Sequence, residues 1–212
     1  MAINCLRPAP GYTWKTHCLL LAPLLVFLLV TGGTHGMWGE KPRVWYEGLR
    51  LAYPTVTRGM RVVTEYSSLV LYMIYAAMLV HAVKKRDLEQ GVFVGRFVFY
   101  AILFSILLTP ALKAALGMPR PGHMLPPEPF SFLHAYASFP SGHTVAIVTA
   151  ALPLALWSER KIPCVLLALL VAAVGISRLW LGEHHPIDIV GGIIVGSIAA
   201  RLIIFPRKSR EQ

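Results

Sequence analysis

The feature that most limits what this chain can fold into is a succession of long apolar runs, each closed by charges or by proline. They cover roughly residues 18–30, 67–83, 92–116, 141–157, 162–181 and 186–205. About 20 apolar residues in a helix cross a hydrocarbon core of ~30 Å. In lipid such segments must satisfy their own backbone hydrogen bonds, which leaves helices as the spanning form for runs of this kind. Only 14% of the residues are charged and 56% are hydrophobic, whereas a soluble domain carries about a quarter charged. The expected fold is all-α, a polytopic bundle of six transmembrane helices.

The formal net charge is +10, but the basic residues are scattered through short loops instead of forming a nucleic-acid patch. They fit topology determination and attraction to anionic lipid. With the N-terminus inside, twelve Lys and Arg fall on the inner side, among them Lys84, Lys85, Arg86, Arg160 and Lys161, and eight on the outer side. The basic segment 41–61 runs against this count without reversing it. The small residues at 31–34 would also suit signal-peptide cleavage after the first run; we read that run as a retained helix. Between residues 33 and 65, Trp38, Trp45, Tyr46 and Tyr53 alternate with basic residues, which suits the headgroup layer. A short interfacial helix is expected over 44–51, stopping before Pro54. The chain thus divides into a first helix with an interfacial segment (1–60), a membrane domain (61–206) and a cytoplasmic tail (207–212). Cys5, Cys18 and Cys164 have no metal-type spacing and are read as free thiols.

This topology sends three polar segments to one outer face. The first holds Lys113 and Arg120, which share a helical face only if the helix persists; Gly117 and Pro119 are expected to end it first. Either way, two cations lie at the membrane surface, one a point charge and one a planar fork suited to phosphate. The second is Pro140-Ser141-Gly142-His143 at the start of an apolar run. Ser141 suits an N-cap, Gly142 permits close backbone approach, and the open N–H groups of a helix start attract anions. The third is the stretch SRLWLGEHHPID over 177–188. Pro186 fits a helix first turn, and one turn brings Asp188 to His184. A carboxylate on one ring nitrogen leaves the other as acceptor, base or nucleophile. Asp188 at the start of a membrane helix needs a partner. Each segment alone is also explained by snorkelling cations, an ordinary cap or a structural His–Asp pair.

Together they read K-x6-RP, PSGH and SR-x5-H-x3-D, and this resembles the type 2 phosphatidic acid phosphatase superfamily at every defining position, over roughly residues 60–205. The resemblance implies a phosphohistidine mechanism. His184 is then the nucleophile, Asp188 orients it, and His143 protonates the leaving oxygen. Lys113, Arg120, Ser141, Gly142 and Arg178 hold the phosphoryl oxygens. No metal and no cofactor are expected, since acidic residues do not cluster and the adjacent His184 and His185 cannot easily point one way. The role of His185 stays open, at the substrate entrance or as a helix cap.

The implied substrate is a lipid bearing a phosphate or diphosphate head: undecaprenyl diphosphate first, or phosphatidylglycerophosphate, phosphatidic acid or lipid A 1-phosphate. The resemblance is to bacterial proteins of the cytoplasmic membrane with the site facing outward, and no nucleic-acid partner is expected. Two other readings are a phosphotransferase that passes the group to a second lipid, and an anion transporter. The transporter reading calls for mid-span charges, and here nearly all the charges sit at span ends.

Overall fold

The computed structural model describes residues 13–123, 126–158 and 160–204; Cys5 and the tail 207–212 lie outside them. The described chain is helical throughout its regular structure. In order, it forms α1 (Trp14–His35), α2 (Glu40–Ala52), α3 (Pro54–Lys85), α4 (Leu88–Ala101), a π-helical segment (Ile102–Leu108), α5 (Thr109–Leu116), a 3₁₀ turn (His134–Tyr136), α6 (Gly142–Ser158), α7 (Lys161–Trp180) and α8 (Pro186–Ile203).

Five helical rods are long and apolar enough to cross a membrane: α1, α3, the continuous rod Leu88–Leu116, α7 and α8. The remaining apolar run, expected as a span over 141–157, forms the 17-residue α6. It forms the buried core of the bundle. Val145, Ile147, Val148, Ala150, Ala151 and Leu152 are all fully buried, so α6 is enclosed by protein instead of matched to lipid. The outer rods show the opposite pattern, with Leu29, Val62, Leu69, Met73, Val80, Phe99, Ile106 and Leu166 exposed. An apolar exterior around a filled interior is what a bilayer solvent selects.

Helix ends follow local chemistry. Pro54 and Pro186 open α3 and α8, where a missing N–H is harmless. Arg86 closes α3 in the left-handed region at φ 53°, and the Asp87 side chain then accepts from Gln90 N at 3.1 Å to cap α4. Inside the bundle, Tyr75 Oη donates to the Ala150 carbonyl at 2.9 Å and Gln90 Nε2 to that of Met78 at 2.6 Å. The short helix expected over 44–51 is present as the longer α2, followed directly by α3. The second expected span likewise starts a dozen residues earlier than its apolar run, at Pro54.

The tightest packing joins α6 to α8. Gly192 and Gly196 lie one turn apart on α8. A Cβ on Gly192 would stand 2.7 Å from Thr144 Cβ and 2.9 Å from the Ser141 carbonyl oxygen; one on Gly196 would stand 2.8 Å from Val148 Cβ. Small residues at this spacing let two backbones approach, the usual device for packing helices in lipid. This pair of glycines sets the distance between the PSGH segment and the segment carrying Asp188.

Candidate active site

Lys113 stands on the last turn of α5. Gly117 ends that helix at φ 53°, and a Cβ there would lie 1.7 Å from the Glu128 carbonyl oxygen. Only glycine fits this turn. The helix thus stops before Arg120, as Gly117 and Pro119 led us to expect. The loop then folds back on itself, with Glu128 N donating to Gly117 O, Ser138 N to Met118 O and Arg120 N to Ala135 O at 2.8–3.0 Å. Lys113 Nζ donates to Ala137 O at 2.8 Å. The π-helical segment just before α5 shifts the register of the turns that follow, and Thr109 Oγ1 takes up the Phe104 carbonyl at 2.7 Å.

His143 occupies the first turn of α6. Ser141, directly before the helix, is fully buried; its hydroxyl accepts from Thr144 Oγ1 at 3.0 Å, and its N–H donates to the Asp188 carbonyl at 3.0 Å. Arg178, on the last turn of α7, donates through Nη1 to Thr64 Oγ1 at 3.3 Å and lies 3.5 Å from Glu183 Oε2. Glu183 also pairs with Arg120.

These elements enclose a cavity of about 530 Å³. Lys113, Arg120, Gly142, His143, Arg178 and His184 all line it. Ser141 and Asp188 stand behind it, as supports of the wall. Ser141 therefore reaches the cavity only through its link to the helix start. Asp188 has no exposed surface, and its Oδ2 lies 3.4 Å from His184 Nδ1 while accepting from Ser138 Oγ at 2.5 Å and from His185 N at 2.7 Å. The buried carboxylate is thus partnered at Oδ2 by a serine hydroxyl and a backbone amide, while His184 Nδ1 lies near it without a hydrogen bond and Oδ1 accepts none within the described chain.

The two adjacent histidines face different spaces. His184 lines the large cavity, whereas His185 lines a smaller one of about 260 Å³ with Trp38, Arg43, Arg120 and His123. The Trp38 ring lies on His185 at 3.9 Å between centroids. Burial pushes the His184 imidazole well below its ordinary value, and Lys113, Arg178 and Arg120 push in the same direction. Burial lowers His185 too, against Asp188 and Glu40. Arg120 is lowered by burial and supported by Glu183 and Asp188, and as a guanidinium it stays charged. Arg120 Nε and Arg178 Nε are buried and make no hydrogen bond within the described chain.

Sequence reasoning missed several residues of this site. Glu183, Ser138, His134 and the α3 and rod positions Thr64, Glu65, Ser68 and Ser105 belong to no motif segment we singled out, apart from Glu183, which lies unremarked within SRLWLGEHHPID. The turn itself is held by a region outside the motifs. Arg50 Nη1 donates to Trp180 O at 2.8 Å, Trp180 Nε1 to Thr57 Oγ1 at 2.9 Å, and Ile187 N to Met37 O at 3.2 Å. Among the described residues, no group of three or more His, Cys, Asp or Glu is arranged to hold a metal ion.

Comparison with known proteins bears on the same segments. The model of the PAP2 superfamily matches residues 95–209, just over half of the chain and all three motif segments. The chain belongs to the PAP2 superfamily. A lipid A 1-phosphatase of Rhizobium johnstonii is 35% identical over 123 residues, 54% of this chain and 49% of that protein. A lipid A 1-phosphatase of Rhizobium etli is 36% identical over 110 residues, 49% and 46% of the two chains. A putative undecaprenyl-diphosphatase of Escherichia coli is 40% identical over 106 residues, 46% and 52%. The chain spans about half the length of the curated relatives it matches. The resemblance read from the motifs is therefore upheld at the level of the family.

Proposed function

We propose that this PAP2 protein is a lipid phosphate phosphatase that works through a phosphohistidine. The observation that carries the reading is one cavity among apolar helices, lined by three cations, a helix start and the histidines His134, His143 and His184, with a carboxylate behind the last. Lys113, Arg120 and Arg178 with the Gly142 end of α6 bind the phosphoryl oxygens and stabilise the charge that develops on them. Ser141 supports that helix start. With Nδ1 turned towards Asp188, His184 offers the Nε2 lone pair to phosphorus. The N–P bond forms as the P–O bond to the lipid breaks, and His143 gives its proton to the departing oxygen. Water then attacks phosphorus, His143 takes a proton from it, the N–P bond breaks, and phosphate leaves with His184 neutral again. Asp188 holds the ring and balances the positive charge it carries while phosphorylated.

On this reading the substrate is anchored in lipid and its head reaches the outer mouth of the bundle, in a bacterial cytoplasmic membrane with α6 as a sixth crossing and both chain ends inside. Candidate heads are undecaprenyl diphosphate, phosphatidylglycerophosphate, phosphatidic acid and lipid A 1-phosphate. Phosphate release from a panel of these lipids in detergent, with EDTA present, tests the reading. Turnover is expected in EDTA and is lost in His184→Ala. A fully active His184→Ala, or a wild type silenced by EDTA, contradicts it.

A further inference from the structure

The large cavity does not stop at the phosphate-binding groups. On the rod Leu88–Leu116, Ser105, Thr109 and Lys113 are spaced four apart, and all three line it. Ser105 lies in the π-helical segment and Lys113 on the last turn of α5, so these positions run down the rod from the level of Lys113 along a membrane helix. Across from it, Thr64, Glu65 and Ser68 on α3 line the same cavity. The hydroxyls of Ser68 and Ser105 are buried and make no hydrogen bond within the described chain. Unpaired buried hydroxyls are costly. Glu65 is exposed on the same cavity wall, and a carboxylate on a membrane-spanning helix marks a ligand path by default.

From this slot we infer a subsite for the group attached to the scissile phosphate, and a leaving group that bears hydroxyls, such as a sugar or glycerol. This rests on the phosphatase reading above. Beneath the phosphate, a prenyl diphosphate would present first a second anion and then hydrocarbon. The first would meet the Glu65 carboxylate and the second a wall of hydroxyls. A sugar or glycerol carbon chain offers donors to Glu65 and both donors and acceptors to Ser68 and Ser105. Sites that hydrogen-bond a substrate hydroxyl discriminate strongly against an analogue lacking it, because their own polar groups are then left unpaired.

The test uses the full chain in detergent micelles and three probes: a diacylated glucosamine 1-phosphate, undecaprenyl diphosphate and dodecyl phosphate. Wild type should prefer the glucosamine lipid in kcat/KM. The double variant Ser68→Ala/Ser105→Ala should lose roughly tenfold on that probe while changing dodecyl phosphate by less than about twofold, since each lost hydrogen bond counts only where a hydroxyl meets it. Glu65→Gln should weaken the glucosamine lipid and improve undecaprenyl diphosphate. Equal losses on all probes, or a wild type that prefers undecaprenyl diphosphate, would overturn the subsite and leave the phosphatase reading standing. A wild type inert on every probe would remove both. Thermal unfolding of each variant separates a folding defect from a lost contact, and Ser68→Thr with Ser105→Thr, which keep the hydroxyls, should retain the preference.

Discussion

At the scale of single residues, the site contains its own anion. Glu183 pairs with Arg120 and stands 3.5 Å from Arg178, with its side chain 38% exposed, so on the proposed reading a phosphate shares or displaces it. Partly exposed pairs contribute about 0–1 kcal/mol. Glu183→Gln is therefore expected to lower KM by no more than about fivefold and to strengthen inhibition by inorganic phosphate. Unchanged KM and inhibition would mean the carboxylate does not compete. His184 supplies a second residue-scale expectation. Its pKa in the folded chain is depressed by burial and by three cations, while in the unfolded chain it is about 6.5. Below that value the unfolded chain binds a proton that the folded one refuses, so stability falls as pH drops through and below about 6.5. Thermal unfolding in detergent between pH 7.5 and 5 should show this slope. In His184→Gln it should be shallower, and an equal slope would assign the effect to other groups.

At the scale of elements, the α6–α8 contact controls whether the motifs meet. Gly192→Ala puts a methyl against Thr144 and the Ser141 carbonyl. Overpacking of that kind costs about 1–3 kcal/mol and would move the start of α6, so both melting temperature and phosphate release should fall. Gly59→Ala on α3 is the contrast: nothing lies within 4 Å of its added Cβ, and removing a helical glycine should stabilise by up to about 1 kcal/mol. If the two variants melted alike, close approach at Gly192 would not matter. The same element scale accounts for part of what the sequence left unread. The Gly-x3-Gly spacing at 192 and 196 was visible, but only the fold shows that it faces α6 and not lipid.

For the whole molecule, the arrangement of spans makes a topological statement. Phe132, in the loop before α6, is 91% exposed, and Lys85 closes α3 at the other end of the bundle. In a chain whose cysteines are replaced, Phe132→Cys should react with an impermeant maleimide added to intact spheroplasts, and Lys85→Cys only after lysis. The reverse pattern would turn the site inward. The N-terminal third also takes on a role at this scale. Met37, Trp38, Arg50 and Thr57 all bond to or stack on the α7–α8 turn, although they fall outside the three motifs and outside residues 95–209.

The sequence by itself determined the class, most helix positions and the candidate site residues. Apolar run length is set by bilayer thickness, and the chemistry of phosphoryl transfer narrows the residue types and their local spacing. Lys113, Arg120, His143, Arg178 and His184 were legible as candidates for that reason, and the fold brings them to one cavity. Only the tertiary structure decided what depends on contacts between distant segments. It made α6 a buried core helix. It gave Asp188 a serine partner fifty residues away, and it turned His184 and His185 into separate cavities. It also brought Thr64 and Ser68 of α3 and Ser105 of the rod Leu88–Leu116 to the same cavity. Local spacing carries no information about which faces of remote helices meet; packing settles that.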